Sequence, residues 1–393
     1  MTTDSTKGTM ERILRLMGEK KASDVYLSAN SPALIRINGV CVPINSQVLP
    51  SDAPRNLLAE ILPAERMQEL EETNELNMAW AVEGAGRFRI SAMRQRGSVA
   101  VVIRFITIDI PALSTLSVPL VLADLIMEKR GLILMVGATG AGKSTTLASM
   151  LDCRNEKATG HILTIEDPIE FLFKNKHSIV NQREVGSDTQ SAQIALKNAL
   201  RQAPDVILIG EIRDRETMTA AITYAQTGHL CLATLHANNS HQALNRILSF
   251  YPVEVRQTLL GDLASALKAI VSQRLLRKLD GSRAPAVEIM LNTSLIAELI
   301  GKGDFSGVKE AMEKSMAVGS QMFEEHIAQL ILDGVIDRSE GLAHADSPTN
   351  LMWRLQNNAA NPAPAASADA LAQAEEDASD EAKFTEFTLD VTH

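Results

Sequence analysis

The sequence is poor in aromatic residues, which make up 4% of its 393 positions, so any core it builds must be mainly aliphatic. It has three cysteines, Cys41, Cys153 and Cys231, scattered and without a Cys-x-x-Cys pair. That spacing argues against a zinc site and for a reducing compartment. No apolar run approaches the ~20 residues that a membrane-spanning helix needs. The opening Met-Thr-Thr-Asp-Ser-Thr has neither the charged nor the apolar region of a signal peptide. A cytoplasmic protein is expected. Excess positive charge is missing too. The net charge is −10, and from Asn357 onward eight carboxylates face one lysine, so −7 of it lies in the tail. The remaining body is close to neutral. Without a basic stripe, nucleic acid is not an expected partner.

What is present is more specific. Gly137-Ala-Thr139-Gly140-Ala-Gly142-Lys143-Ser144 has the spacing Gly-x4-Gly-Lys-[Ser/Thr] of a P-loop. An apolar run, Gly131–Val136, precedes it, and a helix-like segment runs on from Ser144 through Thr145 to Leu151. Strand, loop and helix in that order are the context that the motif requires. Its glycines let backbone N–H groups surround phosphate oxygens at a helix N-terminus. Lys143 then reaches the β- and γ-phosphates, and Ser144 holds Mg²⁺.

Along the chain, Thr9–Lys21 has the apolar spacing of an amphipathic helix. Short alternating runs at 24–28, 33–38 and 40–44 read as strands, with Asn38-Gly39 as a hairpin turn. A helical stretch from Asp52 to Glu71 and three further strands at 78–82, 87–91 and 99–105 complete a small α+β domain over 1–107. Pro111 and Pro119 mark a linker over 108–119. Then strands at 131–136, 161–165, 205–209 and 230–235 alternate with helices at 144–155, 189–202, 214–226, 239–249 and 254–278. That alternation predicts an α/β domain over 120–346, a parallel sheet with helices on both faces. The pattern from Thr293 onward is helical. The acidic tail, 347–393, is expected to be disordered; its Phe384 and Phe387 read either as a docking element or as solvated chain.

Three further segments carry chemistry. In His161–Phe171 a strand ends in Glu166, Asp167 and Glu170. At the carboxyl edge of a parallel sheet such a cluster faces the ligand crevice, where it could hold Mg²⁺ through water or orient an attacking water. A solvated turn is the alternative. Asp205–Asp214 delivers Glu211 to the same edge in the form of a Walker-B strand, with Gly210 where many such strands carry the metal-binding Asp. Arg213 and Asp214 read as a surface pair. In Gly228–His236, His229 and His236 flank a buried-looking strand. Either one or both sense the γ-phosphate or bridge to a neighbouring subunit, or they are a pair of satisfied structural histidines. Arg87, Arg89, Arg94, Arg96 and Arg104 crowd the end of the first domain; in a ring, a phosphoryl-transfer site benefits from an arginine supplied across the interface.

Together these segments resemble the secretion ATPases of type IV pilus and type II secretion systems. Gly137–Ser144 matches their Walker A, Ile165–Glu170 their Asp box, Gly210–Asp214 their Walker B and Gly228–His236 their His box. Ala22–Ser28 and Ile35–Gly39 resemble the PAS-like amino-terminal domain of the retraction-ATPase group, PilT and PilU. The resemblance covers 9–345 and implies a RecA-like P-loop fold, a homo-hexameric ring, ATP with Mg²⁺, and mechanical work on a pilus. It makes Glu170 the general base and Glu211 the Walker-B glutamate, with Ser144, Glu166 and Glu211 toward the metal. His229 and His236 then couple nucleotide state to subunit geometry, and Arg96 and Arg104 are candidates for nucleotide contact. The tetracysteine motif of the extension ATPases is missing. Leu295–Lys302 stands where PilT has Ala-Ile-Arg-Asn-Leu-Ile-Arg-Glu, and it lacks both arginines. That departure, with Leu235–Asn239 and the acidic tail, implies the accessory, PilU-like branch. Its expected partners are a PilT-type retraction ATPase and the inner-membrane platform protein of the pilus machine, with membrane association only through them. A PilT-type motor, and a structural partner whose own hydrolysis is dispensable, remain as alternatives.

Overall fold

The computed structural model describes residues 8–37, 39–106, 109–314 and 317–360. The amino-terminal part opens on helix α1 (Thr9–Glu19) and strands β1 (Asp24–Leu27), β2 (Pro32–Ile37) and β3 (Val40–Val48). Helices α2 (Ala53–Ala59) and α3 (Ala64–Thr73) and strands β4 (Glu75–Val82), β5 (Gly86–Gln95) and β6 (Ser98–Ile106) follow. The single helix expected over 52–71 is two, because Pro63 has the extended backbone of a helix N-cap and starts a new one. The strands pair antiparallel in the order β3-β2-β1-β6-β5-β4. One face of this sheet buries Val25, Phe88, Ile90 and Ile103 against Leu14 and Met17 of α1 and Leu58 of α2. The other face carries Arg36, Arg104 and Arg89 side by side in register, with Asp24 between the first two.

The expected linker carries a short 3₁₀ turn, Leu113–Thr115, and is not free of the rest. The Ser149 hydroxyl donates to the Pro111 carbonyl at 2.7 Å. Beyond it come α4 (Val121–Met127), β7 (Gly131–Val136), α5 (Lys143–Lys157), β8 (Gly160–Glu166), β9 (Ser178–Glu184) and α6 (Ala192–Ala199). Next are β10 (Val206–Ile209), α7 (Arg215–Gln226), β11 (Leu230–Leu235), α8 (Ser240–Ser249), α9 (Arg256–Ala266), β12 (Leu267–Arg277) and β13 (Arg283–Leu291). The chain closes on α10 (Ser294–Lys302), α11 (Phe305–Glu313), α12 (Phe323–Leu332), α13 (Arg338–His344) and α14 (Pro348–Ala360).

The second sheet has the order β13-β12-β7-β11-β10-β8-β9, parallel except for the edge pair β12–β13. Every residue of β7, β10 and β11 is buried, as expected of parallel strands covered on both faces. Leu147, Met150 and Leu151 of α5 cover one face with Leu122 and Ile126 of α4. Met218, Ala221, Leu244 and Leu263 of α7, α8 and α9 cover the other.

The segment 254–278 departs from its expected single helix. Helix α9 stops at Ala266, and Leu267 turns into a strand that pairs with β7 on one side and β13 on the other. An apolar run such as Leu267–Arg277 fits a buried helix or a buried strand equally well by periodicity, and the sheet edge decides between them. Strands β9 and β13 were likewise not expected. The folded chain also runs past 346. Leu351 and Leu355 of α14 pack with Phe323 and Ile327 of α12. Residues 361–393, with Phe384 and Phe387, lie outside the described residues.

Candidate nucleotide site

The loop after β7 is shaped by glycine. Gly142 has φ 84°, and a Cβ there would stand 2.8 Å from the Gln273 amide nitrogen. A Cβ on Gly137 would stand 2.5 Å from the Gln273 carbonyl oxygen. Thr139 and Gly140 form the exposed tip of the loop. Helix α5 then begins at Lys143 with no side chain capping its first turn, so its free N–H groups face the loop. A loop whose glycines lie too close to Gln273 for a side chain, above an uncapped helix start, fits a phosphate group. The Lys143 ammonium donates to the Gly137 and Ala138 carbonyls at 2.8 and 2.9 Å. Burial pushes its pKa down, and the Glu211 and Glu170 carboxylates oppose that shift. Those two carboxylates and Lys143 therefore share one site. Ser144 and Thr145 are half-buried beside it.

Parallel pairing brings the other segments to the same edge, because β8, β10, β11 and β7 all end there. Gly210, just past β10, donates its N–H to the Ile165 carbonyl at 2.8 Å. A Cβ on Gly210 would sit 3.2 Å from both Glu166 Cα and that carbonyl oxygen, so an Asp would crowd the neighbouring strand. The Glu211 carboxylate lies 3.1 Å from His236 Nε2 and 2.7 Å from the Arg213 guanidinium, which also reaches Asp167 at 3.5 Å. Its bond to Glu211 raises the Arg213 pKa. Arg213 thus turns into the site rather than pairing with Asp214. Asp214 instead caps α7, accepting the Thr217 N–H at 2.8 Å.

Glu170 is exposed, and its loop is held from behind. The Ile169 N–H donates to Glu184 Oε2 at 3.1 Å, and Arg87 donates to the same oxygen at 2.9 Å. Arg87 of the first sheet therefore braces the loop that carries Glu170. Glu166, by contrast, is turned inward. Its Oε1 accepts from Thr164 at 2.6 Å and Gln182 at 3.3 Å, and burial raises its pKa. This is the geometry of a loop anchor, which corrects its expected place at the metal. Ser144 and Glu211 carry oxygen atoms of the kind that suit a hard cation. Among the described residues, no group of three or more His, Cys, Asp and Glu side chains is arranged to hold a metal. The fitting partner is a cation that takes most of its ligands from phosphate and water.

His229 does not join. It precedes β11 at the amino edge of the sheet, where the Gly131 N–H donates to its carbonyl at 3.0 Å. Six residues of strand separate the two histidines, about 20 Å of sheet. The His229 ring lies 3.2 Å from the Thr227 hydroxyl and 3.3 Å from the Tyr224 carbonyl, both ordinary structural contacts. Its catalytic role within one chain is corrected accordingly. Arg96, at the exposed β5–β6 turn, and Arg104, which donates to Asp24 at 2.9 Å, are likewise outside the site of their own chain. Gln273 and Thr146 were missed. The first was hidden in the supposed helix 254–278, where nothing distinguishes it from other polar residues.

A P-loop at the carboxyl edge of a mostly parallel sheet, with the Glu211 and Glu170 carboxylates near its lysine, defines a nucleoside-triphosphatase of the P-loop class. The comparisons narrow that class. The family described as "Type II/IV secretion system protein" matches residues 7–329. The type IV pilus ATPase PilU of Pseudomonas aeruginosa is 46% identical over 342 residues, 87% of this chain and 90% of PilU. The retraction ATPase PilT of the same organism is 36% identical, over 86% of this chain and 98% of PilT. A crystal structure of the pilus retraction motor PilT with bound ADP superposes with TM-score 0.82 at 38% identity, covering 88% of this chain and 99% of that one. The chain belongs to the type II/IV secretion system proteins, in the PilT/PilU group of secretion ATPases and more similar to PilU.

Proposed function

We propose that this protein is an ATP-hydrolysing, homo-hexameric motor that powers type IV pilus retraction, acting as the accessory, PilU-type ATPase beside a PilT-type partner. The observation that carries the reading is the glycine-shaped loop between β7 and the uncapped start of α5, with the Lys143 ammonium bonded to its carbonyls and Glu211 delivered to the same sheet edge. Similarity to PilU over nine-tenths of its length and the ADP-bound PilT structure support it. The reaction is the attack of water on the γ-phosphorus of ATP to give ADP and phosphate. Lys143 and the N–H groups of the loop hold the phosphates, so the substrate is fixed in line before attack. Glu170 takes the proton of the attacking water. His236 and Arg213 hold the Glu211 carboxylate in place. Ser144 and Glu211 would hold Mg²⁺, which supplies charge neutralisation at the phosphates when bound.

In this reading residues up to 107 form an amino-terminal domain, 108–119 a linker, and the chain from 120 to α14 the ATPase domain. Arg96 or Arg104 would act on the nucleotide of a neighbouring subunit. The ring would sit at the cytoplasmic face of the inner membrane, on the platform protein of the pilus machine. Two tests separate the alternatives. Lys143→Ala is expected to abolish hydrolysis, and full turnover by it would reject the site. The accessory role rests on Leu295–Lys302, which forms α10 without the arginines of the PilT motif. It predicts no retraction in cells that lack the PilT-type ATPase. Retraction restored there would make this a PilT-type motor. Retraction restored by Lys143→Ala with the partner present would leave a structural role.

A further inference from the structure

Strand β12 contributes no residue to the four nucleotide motifs, yet it touches the P-loop directly. Ser272 stands beside Val136 in the parallel register, so Gln273 lies alongside the loop where it leaves β7. The Gln273 side chain is 2% exposed. Its Nε2 donates to the Ala141 carbonyl at 2.8 Å, and its Oε1 accepts from the Thr146 hydroxyl at 2.9 Å. The Ala141 carbonyl can only accept, which fixes the amide orientation and makes Thr146 the donor at the other end. One buried amide therefore spans the loop from the residue before Gly142 to the first turn of α5. Its backbone carbonyl and Nε2 are also the atoms that a Cβ on Gly137 or Gly142 would strike. The neighbouring residue ties down the far side. Arg274 stacks on Phe323 at 4.0 Å and donates to the Asn238 carbonyl, two residues past His236, at 3.2 Å.

We infer that Gln273 is a positioning residue for the phosphate site: its amide is the template against which Ala141–Thr146 closes, and it sets nucleotide affinity without touching nucleotide. The inference rests on the nucleotide reading above. The bonds it makes are worth more than their number implies, because a buried partner left unpaired costs its full desolvation. A loop held open by that loss presents its N–H groups to phosphate at the wrong spacing. The effect falls on binding of ADP and ATP alike, since both carry the phosphates that the loop surrounds.

The test is the dissociation constant of a fluorescent ADP analogue, with KM and kcat for ATP and the unfolding temperature of each nucleotide-free variant. Gln273→Met keeps the volume and removes both bonds; it is expected to weaken ADP binding about tenfold, or 1.4 kcal/mol, and to raise KM more than it lowers kcat. Thr146→Val should weaken binding in the same direction, and Thr146→Ser, which keeps the hydroxyl, should bind as wild type does. Val and Ser variants that bind alike would overturn the inference. So would a folded Gln273→Met variant with unchanged affinity. If Gln273→Met does not fold, the two Thr146 variants decide. A wild-type protein that binds no nucleotide overturns the function and this inference together. A wild type that binds and hydrolyses ATP, beside unaffected Gln273 and Thr146 variants, overturns this inference alone.

Discussion

The two edges of the seven-stranded sheet are built from the same strands and do different things. At the carboxyl edge the chain leaves β7, β8, β10 and β11 in loops that carry Lys143, Glu170, Glu211 and His236. At the amino edge His229 rests on Thr227 and Tyr224, and the His161 ring donates to the Gln202 carbonyl at 3.0 Å. Asp205 there holds the His161 N–H at 2.8 Å. Titratable groups gather at both edges, so their number does not mark the site. The difference lies in what they face. The amino-edge groups bond to backbone and to neutral neighbouring side chains, and their bonds close loops onto strands. The carboxyl-edge groups face one another and a half-buried lysine beside a loop shaped by glycine.

That contrast can be broken most severely at Lys143. The Lys143→Ala variant is expected to lose hydrolysis by on the order of 100-fold or more, since it removes a preorganised charge from the transferring phosphate; the steady-state rate of phosphate release reads this directly. A smaller effect compares the two histidines. His236→Ala should lower kcat about tenfold, because its ring lies against the Glu211 carboxylate and keeps it in position. His229→Ala should stay within about twofold in the same assay, because its partners are structural. Equal losses would show that the edges act as one site, through a neighbouring subunit.

Next comes the brace between the sheets. Arg87→Ala leaves Glu184 buried with one cationic partner fewer, and unfolding in urea should show a loss of about 1–3 kcal/mol. Glu184→Gln should lose less, because it can still accept the Ile169 N–H. The smallest effect concerns Glu166. Burial raises its carboxyl pKa, so the native state keeps a proton that the unfolded chain has already released. Its contribution to stability is therefore full below the ordinary carboxylate range and is lost as pH rises through the raised native value. Glu166→Gln does not titrate, so its melting temperature relative to wild type should climb as pH rises above the ordinary carboxylate range. A pH-independent difference would contradict the raised value.

The contrast between edges also explains what was legible in the sequence. Gly137–Ser144 carries its own geometry, because phosphate contact is made by backbone and only glycine tolerates the approach. Glu211 and Glu170 followed from strand ends, since parallel strands deliver their last residues to one edge. His229 and His236 bracket the same strand, and the sequence does not say which end is the working one; register with β7 does. Gln273 was invisible for a different reason. It acts through two bonds to residues more than a hundred positions earlier, from a strand that periodicity could not tell from a helix. The helix α14 shows the same limit, as its Leu351 and Leu355 look like tail residues until Phe323 and Ile327 are placed beneath them.

The proposed hydrolysis requires Glu170 as the base at the carboxyl edge. The measurement that tests it most directly is a comparison of ATP bound with ATP hydrolysed by the Glu170→Gln variant. It should bind ATP as wild type does and turn it over on the order of 100-fold more slowly, the range of general-base catalysis. Unchanged steady-state hydrolysis by that variant would contradict the account.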